Sequence, residues 1–580
     1  MSQGITRRQA LKGMAGLAGS GALLTLLPAV ASCRPTEPTA PSPTTAPVQA
    51  TATTAPAPEP SPTAAAAEGC SVDFEVGVAP PIKKYSGPVQ VTYPFNTSGG
   101  VKFKLPEENE TNNPMYRFFR DELGIEYVPK WVAASGDVAA QKMAAAMAAG
   151  DLPEMFTTSG EQYEILVEND TLADIKDIFE RVATPLVKEK LQYPDGKQWI
   201  PLMRKGGLLG TAVAMIEANV EMVGYIRQDL LDKLNMPVPK TLEELDETVR
   251  KMHETKEIKY GVFCDKSGLH YLLSPVFGAF GVMPRVWLKS PDGKLEYGSI
   301  NPGIKDALAW LRKWYADGLM DPEFYAKSRW DDLKMVADHG VHWGEWWWTR
   351  QAMTVEKEVP GVRWFMEMGA PKGPNGKYGR ASAYSVGWNM VYLKGLAPEK
   401  IERALMHLNW EIENHANGLK YNSYGAMNWD ELFLEGYDWE FTEDCEIRYA
   451  DYNTGLMVRR VGYHYDNNAY PDFQLDRNKN VATWYAMDRS TLNKAQRMIA
   501  SDFDARRRAA YQYLMDHKDE QIKDEWWGVP TERMVRLLPD LRVMEEQAFV
   551  GIVTGQRSLD AFDAFVKEWK QAGVIRSPRM

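Results

Sequence analysis

Strand-like and helix-like segments alternate along residues 89–159, and this alternation constrains the fold of the chain more than any other feature. The first segment, VQVTYPF, has the alternating pattern of a strand, and a helix-like segment that stops at Gly124 follows it. Another strand, an alanine- and methionine-rich helix that stops at Gly150, and a third strand come next. This order predicts a parallel sheet with helical crossovers, and therefore an α/β fold. The predicted strands are residues 89–95, 125–132 and 154–159, and the predicted helices are residues 112–123 and 137–149.

Polar side chains stand where the first and third predicted strands end. Asn96 follows the first strand, and Thr157, Thr158 and Ser159 close the third. In open α/β sheets, ligands bind in the crevice outside the carboxyl ends of the strands. Ordinary turn and capping chemistry also accounts for such residues. We take Asn96 and Ser159 as candidate ligand-binding residues.

A tryptophan-rich stretch, VHWGEWWWTR at residues 341–350, is the second unusual feature. Each indole offers a large apolar face and one N–H that needs a partner when it is buried. Tryptophans usually fill a core. The functional alternative is a stacking platform for something flat and partly polar, such as a sugar ring. We expect some of these rings to pack and at least one to face a cleft, with Trp343, Glu345 and Trp346 as candidates.

Residues 1–32 resemble a signal peptide and are left out of the fold prediction. Arg7 and Arg8 resemble the twin-arginine export signal, and an apolar run then leads to VASC, which resembles a lipobox ending at Cys33. The expected product is a lipoprotein acylated on Cys33. Two alternatives remain open. Cleavage after Ala31 gives a free protein, and a retained signal anchor needs a longer span, since about 20 apolar residues cross a bilayer.

Residues 33–84 are expected to form the lipid anchor and a disordered tether. Residues 34–68 are almost entirely Pro, Thr, Ala and Ser, a composition that cannot bury a core. An acylated cysteine followed by such a tether describes a protein held at the outer face of the cell membrane. The pairing of Cys70, Cys264 and Cys445 stays open, and buried free thiols are the simplest expectation for the last two.

Length and charge set further bounds. The chain has 580 residues, too many for one ordinary core, so two or more lobes are expected. The net charge of -11 argues against a nucleic-acid partner, which needs a basic surface. Four cysteines without a CxxC pair do not make a disulfide scaffold or a zinc signature.

Local signals define several later elements. Thr241 begins a helix, and Glu244 completes a capping box with it. The Asp292–Gly293 dipeptide predicts a hairpin. An amphipathic helix after residue 301 ends at Gly318. The final helix has a buried face made by Leu559, Phe562, Phe565, Val566 and Trp569.

Two more elements lie between these. Trp388 stands in SVGWNMVYLK, which predicts a buried strand. A helix is predicted to begin at Pro398, to continue to about Asn414 and to end near Gly418.

Five blocks of the sequence resemble, in the same order, the extracellular solute-binding lipoproteins of ABC importers. The resemblance is to family 1 and its large oligosaccharide-binding branch, which includes alginate-binding proteins. QKMAAAMAAGDLPEMF resembles a helix and strand of the family, and NSYGAMNW resembles its glycine-rich ligand loop. The blocks are residues 141–156, 230–249, 292–323, 422–429 and 549–573.

The resemblance implies a two-lobed, periplasmic-binding-protein-like fold of the Venus-flytrap type, with lobes that are discontinuous in sequence. The N-terminal lobe is expected to hold residues 85–205 and 362–418, and the C-terminal lobe residues 206–361 and 419–580. A ligand that touches both lobes favours the closed form. The membrane subunits of an ABC permease then recognise that form.

The chain departs from the alginate-binding relatives in one place. These relatives carry a calcium loop after the segment that matches residues 241–253, where this chain reads HETKEIKYGVF without alternating acidic residues. No calcium is predicted there, and alginate itself becomes a less suitable ligand. A zinc site made by His339, His342 and Glu345 is also disfavoured, because Gly340 and Gly344 argue against the helix that it needs.

The leading hypothesis is a binding protein that captures an oligosaccharide outside the cell and delivers it to an ABC permease. It is expected to be a monomer without catalytic residues, metal or cofactor. The alternatives are a peptide-binding importer subunit and a surface-anchored glycoside hydrolase or lyase, which needs two carboxylates flanking the bond. The candidate ligand-binding residues are Asn96, Ser159, Trp343, Glu345, Trp346, Trp388, Tyr424 and Trp429.

Overall fold

The structure is a computed structural model. It describes residues 85, 87–96, 107–158, 160–191, 199–212, 222–290, 292–329, 332–345, 348–381, 389–420, 439–441, 447–449, 505–526 and 528–572.

The strands, in chain order, are β1 (Val89–Asn96), β2 (Ile125–Ala133), β3 (Met155–Thr158), β4 (Met203–Arg204), β5 (Gly207–Leu208), β6 (Thr211–Ala212), β7 (Met222–Arg227), β8 (Tyr260–Val262), β9 (Trp287–Lys289), β10 (Leu295–Tyr297), β11 (His339–Glu345), β12 (Trp364–Met368), β13 (Arg380–Ala381), β14 (Asn389–Tyr392), β15 (Trp439–Phe441), β16 (Ile447–Tyr449) and β17 (Gln521–Ile522).

The α-helices are α1 (Pro114–Asp121), α2 (Gly136–Ala149), α3 (Gly160–Glu168), α4 (Lys176–Val182), α5 (Pro185–Leu191), α6 (Trp199–Leu202), α7 (Gln228–Leu234), α8 (Leu242–Glu254), α9 (Leu269–Leu272), α10 (Ser274–Ala279), α11 (Gly303–Ala316), α12 (Thr349–Glu358), α13 (Pro398–Lys420), α14 (Ala505–Asp516), α15 (Glu532–Val553) and α16 (Ala561–Ala572). Short 3₁₀ helices occupy Gly298–Ile300, Leu333–Asp338 and Lys518–Glu520.

The first lobe is built on two adjoining sheets. β1 and β2, joined through α1, pair in parallel, and β14 lies antiparallel between β3 and β6. Glu154 connects the sheets, because its Oε2 accepts from the Thr92 N–H at 2.8 Å and its own N–H donates to Thr92 Oγ1 at 2.9 Å. Helix α1 provides the crossover that this parallel pair requires. The third predicted strand, β3, does not join this parallel sheet and pairs antiparallel to β14 instead. The predicted α/β fold is confirmed.

The first two helices begin and end close to where the sequence predicts. Asn113 Oδ1 accepts from the Tyr116 N–H at 3.2 Å at the start of α1, and Ser135 caps α2. Gly124 and Gly150 follow these helices with φ of 63° and 69°. Glycine adopts this left-handed backbone without a steric penalty, which explains why both helices stop at these positions.

Helix α13 holds the first lobe together from within. The His407 Nδ1 and Tyr127 hydroxyl share a buried hydrogen bond of 2.7 Å between α13 and β2. Burial lowers the pKa of His407 to about 3, so this histidine is neutral. The helix begins at Pro398, as predicted, and continues to Lys420, just beyond the expected end near Gly418.

The second lobe contains a four-stranded sheet in the order β12–β7–β11–β8. β7 is antiparallel to both β11 and β12, and β8 is parallel to β11. One face of the sheet, with Val341 and Trp343, packs against α8 and α11. The other face, with Tyr225 and Trp364, packs against α12 and α14. The sheet is therefore covered on both sides.

The local signals of the second lobe are confirmed. Thr241 Oγ1 accepts from the Glu244 N–H at 3.1 Å, and Glu244 Oε2 accepts from the Thr241 N–H at 3.2 Å, which is the predicted capping box. β9 and β10 form the predicted antiparallel hairpin, and Gly293 in its turn has φ of 82°. Helix α11 ends before Gly318, whose φ is 73°.

The two last helices, α15 and α16, close the second lobe. Phe562, Phe565 and Trp569 are buried, as predicted for the final helix. The Trp569 ring stacks on the Tyr297 ring with centroids 5.0 Å apart. Cys264 is a buried free thiol, as expected, whereas Cys33, Cys70 and Cys445 lie outside the described residues.

The described elements divide between the lobes later in the chain than the predicted limits. Leu208 and Ala212 belong to the core of the first lobe, although the sequence predicts that the first segment of this lobe ends at residue 205. β12 pairs with β7 in the second sheet, although the division returns to the first lobe at residue 362. The predicted limits differ from the observed ones because a strand that leads from one lobe to the other has the same apolar composition as a strand that remains within one lobe.

Candidate functional site

The strand ends at which the chain passes between its lobes define the candidate site. Ala212 ends β6 in the first lobe, and Met222 begins β7 in the second. The chain returns between Ala381, which ends β13, and Asn389, which begins β14. The sheet edges that carry Ala212, Met222 and Asn389 therefore face the other lobe.

On the first lobe, Asn389 is the centre of this edge. It pairs with Thr158, the last residue of β3, on one side and with Ala212 on the other. In the adjoining sheet, β1 ends at Asn96 opposite Ala133. This is the carboxyl edge at which the sequence predicts a ligand crevice.

On the second lobe, Glu345 lies on the matching edge. It is the last residue of β11 and pairs with Met222, the first residue of β7. The backbone of this candidate therefore stands where the chain enters the second lobe.

The pairing of β3 with β14 brings two predicted site positions together along the chain. Ser159 directly follows Thr158, and Trp388 directly precedes Asn389, the register partner of Thr158. Ser159 and Trp388 themselves lie outside the described residues, as do the candidates Trp346, Tyr424 and Trp429.

The described tryptophans of the 341–350 stretch pack in the cores. Trp343 is 1% exposed in the core that β11 shares with α8 and α11. Trp348 is buried on the opposite side of the sheet, where its ring lies 4.3 Å from that of His342, between centroids. Trp343 offers no face to a cleft in this arrangement, because β11 is a central strand covered on both sides. We therefore do not retain it among the ligand-binding candidates.

The two histidines of the same stretch lie on β11, a strand and not the helix that the zinc site would need. Both rings pack edge-on against the buried Phe263 ring, with centroids 4.9 Å from it. Burial lowers the pKa of His339 to about 4 and that of His342 well below its ordinary value. Among the residues that the structure describes, no group of three His, Cys, Asp or Glu side chains is placed to hold a metal ion.

A polar cavity of about 410 Å³ lies at the opposite edge of the second sheet, where β8 and β11 begin. Two ion pairs join four of its charged side chains. Lys327 Nζ lies 2.7 Å from Asp321 Oδ2, and Lys259 Nζ lies 2.7 Å from Asp338 Oδ2. The position away from the facing edges and the mutual pairing of these charges separate this cavity from the candidate site.

Sequence reasoning missed two side chains at the first-lobe edge. Asn389 is buried, and its Oδ1 has no hydrogen-bond partner among the residues that the structure describes. Trp131 is half-buried near the end of β2, and within the same residues its Nε1 also lacks a partner. An asparagine at the head of the otherwise apolar strand NMVY was the available signal for the first. A tryptophan close to a predicted strand end was the signal for the second.

An ion pair connects the two lobes beside this site. Lys266, in the loop after β8, extends its Nζ to 3.4 Å from Oδ2 of Asp137, at the start of α2. Both side chains are exposed.

The family profile of the bacterial extracellular solute-binding proteins matches residues 110–395, which include both passages between the lobes. The chain is a bacterial extracellular solute-binding protein. The family is extracellular, in agreement with the predicted extracytoplasmic location. Within the described residues, no helix combines the length and the apolar character needed to span a bilayer.

This solute-binding protein has a curated relative in Bacillus subtilis (strain 168), the polygalacturonan/rhamnogalacturonan-binding protein YtcQ. The two are 25% identical over 234 residues, which are 39% of this chain and 44% of the relative. The chain thus matches less than half the length of that relative.

Solved structures confirm the two-lobed fold. The alginate-binding protein AlgQ2, without calcium ion, has a TM-score of 0.59 at 14% identity, covering 84% of this chain and 96% of that chain. The Streptococcus pneumoniae (S.pneumoniae) FusA EF-hand mutant in complex with fructo-nystose has a TM-score of 0.53 at 16% identity, covering 84% and 96%. An HMO-binding protein from Bifidobacterium longum infantis has 0.52 at 13% identity, covering 84% and 97%. At these identities the likeness establishes the fold alone.

Proposed function

We propose that this solute-binding protein captures an oligosaccharide outside the cytoplasm and delivers it to an ABC importer. The observation that carries the proposal is the pair of facing sheet edges, where Asn389 lies between Thr158 and Ala212 on the first lobe. Polar strand ends between two lobes suit a ligand rich in hydroxyl groups. The relative in Bacillus subtilis, whose name assigns it polygalacturonan and rhamnogalacturonan, supports a carbohydrate.

We propose that the cleft holds its ligand through hydroxyl hydrogen bonds and aromatic stacking. Indole and phenol faces stack on the C–H faces of sugars, while amide, hydroxyl and carboxylate groups bond the sugar hydroxyls. The residues proposed for these roles are Asn96, Ser159, Glu345, Trp346, Trp388, Tyr424 and Trp429.

The protein is proposed to bind without turnover. The two lobes are expected to close around the ligand, and a permease can then recognise the closed form. A binding protein returns its ligand chemically unchanged, whereas a glycoside hydrolase or lyase shortens it.

We further propose that the protein is a monomer tethered to the outer face of the cell membrane through an acylated Cys33. Residues 1–32 act as the signal peptide in this proposal, and residues 33–84 as anchor and tether. Expressed in its bacterial host, the protein should partition into a detergent phase, and Cys33→Ser should move it to the aqueous phase. Cys70→Ser is the matched control and should leave the partition unchanged. Aqueous partition of the unsubstituted protein would contradict the anchor.

A thermal-shift screen tests the function. A ligand that binds only the folded state stabilises it and so raises the unfolding temperature. At a hundredfold excess over Kd, the free energy of unfolding rises by about 2.7 kcal/mol. Neutral oligosaccharides, oligogalacturonides and mixed peptides are the three arms. Stabilisation by a saccharide is the expected result, and stabilisation by peptides alone would replace the proposal with the peptide-binding alternative.

A further inference from the structure

One cross-strand pair at the first-lobe edge has two polar atoms without hydrogen-bond partners in the described part of the chain. Thr158 and Asn389 are register partners at the ends of β3 and β14. Thr158 is 1% exposed and Asn389 is 2% exposed. Neither Thr158 Oγ1 nor Asn389 Oδ1 has a hydrogen bond in the part of the chain that the structure describes.

The position of the pair in its sheet makes this unusual. Register partners point to the same face of a sheet. One step inward on the same face, the pair Phe156 and Val391 is apolar and buried in the first core. Burying an unpaired hydroxyl or amide carbonyl costs stability, and apolar residues of similar shape would avoid that cost. The two polar residues stand only where the face reaches the edge towards the other lobe.

The two atoms complement one chemical group. Asn389 Oδ1 accepts a hydrogen bond, and the Thr158 hydroxyl can donate one. An alcohol hydroxyl both donates and accepts, so a single one placed between them satisfies both. An ionised carboxylate has no proton for Asn389 Oδ1 and satisfies Thr158 alone.

We propose that Thr158 and Asn389 together bind one hydroxyl group of the captured saccharide. The inference rests on the proposed function and adds two specificity-determining residues to it. Both side chains are covered in the present arrangement, so the ligand reaches them when the protein opens around this edge. The sugar unit recognised here presents a free hydroxyl rather than a carboxylate to the first lobe.

Calorimetric titration of variants with the saccharide selected by the thermal-shift screen tests the pair. Thr158→Val keeps the shape of the side chain and removes the hydroxyl, and it should weaken binding about five- to tenfold. Thr158→Ser retains the hydroxyl and should restore affinity. Thr157→Val is the matched control: its side chain points to the other face, opposite Met390, and its affinity should stay at the wild-type value.

Thermal unfolding without ligand gives a second, independent measurement. Thr158→Val should not lower the unfolding temperature, because it removes a buried hydroxyl that has no partner. Wild-type affinity in both Thr158→Val and Asn389→Leu, with saccharide binding intact in the unsubstituted protein, would overturn the pair and leave the proposed function standing. Absence of saccharide binding by the unsubstituted protein would overturn both.

Discussion

Lys266 of the second lobe and Asp137 of the first form an ion pair across the lobes, with 3.4 Å between Nζ and Oδ2. The side chains are 44% and 81% exposed. Water therefore screens the attraction, and exposed pairs of this kind contribute about 0.2–1 kcal/mol. The pair can adjust the balance between lobe arrangements without deciding it.

Lys266→Ala should weaken saccharide binding by less than about fivefold, because the ion pair stabilises this arrangement of the lobes by at most about 1 kcal/mol. Asp137→Ala should have the same effect, and the double variant should be no weaker than either single one. The differences should vanish in about 1 M salt, where the Debye length is about 3 Å. A loss of a hundredfold, or one that persists at high salt, would show that Lys266 has another role.

Trp343 and Trp388 should respond differently to substitution. Trp343 is buried in the second core, and Trp343→Ala should lower the free energy of unfolding by about 3–5 kcal/mol. Trp388 directly precedes Asn389 at the proposed cleft, and Trp388→Ala should weaken saccharide binding at least tenfold. Urea unfolding and calorimetry separate the two effects. Unchanged affinity in Trp388→Ala would remove this ring from the proposed site.

Arg403 fastens α13 to the start of the first sheet. Its Nη1 donates to the carbonyl oxygens of Gly87 at 3.0 Å and Gly124 at 2.9 Å, and its Nη2 donates to Glu399 Oε1 at 2.7 Å. Hydrogen bonds to a charged group contribute about 1.5–3 kcal/mol each. Arg403→Met should therefore destabilise the protein by about 2–4 kcal/mol. A change below about 0.5 kcal/mol in urea unfolding would mean that these carbonyls find other donors.

Stability should fall as the pH drops through 6.5, partly because of His342. Burial, and then the nearby charge of Arg329, hold the pKa of His342 well below its ordinary value of 6.5. The folded state thus keeps His342 neutral, while the unfolded state takes up a proton below pH 6.5, which favours unfolding. The contribution of the neutral His342 side chain to the free energy of unfolding is therefore present above pH 6.5 and is lost as the pH falls below it.

His342→Leu should therefore lose less stability than the wild type between pH 7.5 and 5.5, by about 1.4 kcal/mol per pH unit below the unfolded pKa. Urea unfolding at several pH values measures this slope. Identical slopes for wild type and variant would show that His342 takes up its proton as readily in the folded protein as in the unfolded chain.

Much of the fold could be predicted from the sequence because its signals are local. The capping box of Thr241 and Glu244 and the glycine at position 124 act within a few residues, and each element begins or ends where they stand. The passage between the lobes has no such signal. β12 joins the second sheet only because β7 offers it a free edge, which no local pattern in the sequence records.

The site was harder to predict for the same reason. An indole serves a core and a sugar platform equally well, so Trp343 could not be assigned until β11 was known to be covered on both faces. Asn389 became a candidate only through its pairing with Thr158, which lies far away in sequence. The sequence predicts a strand end at residues 157–159, and β3 ends at Thr158, but no local signal identifies Asn389 as its partner.

The two lobes are proposed to bind a saccharide and to release it unaltered. The most direct measurement is calorimetric titration of the purified protein with the saccharide chosen by thermal shift, followed by chromatography of the recovered ligand. We expect one site per chain and a ligand of unchanged length. No binding heat with any saccharide, or recovery of shortened chains with new reducing ends, would contradict it.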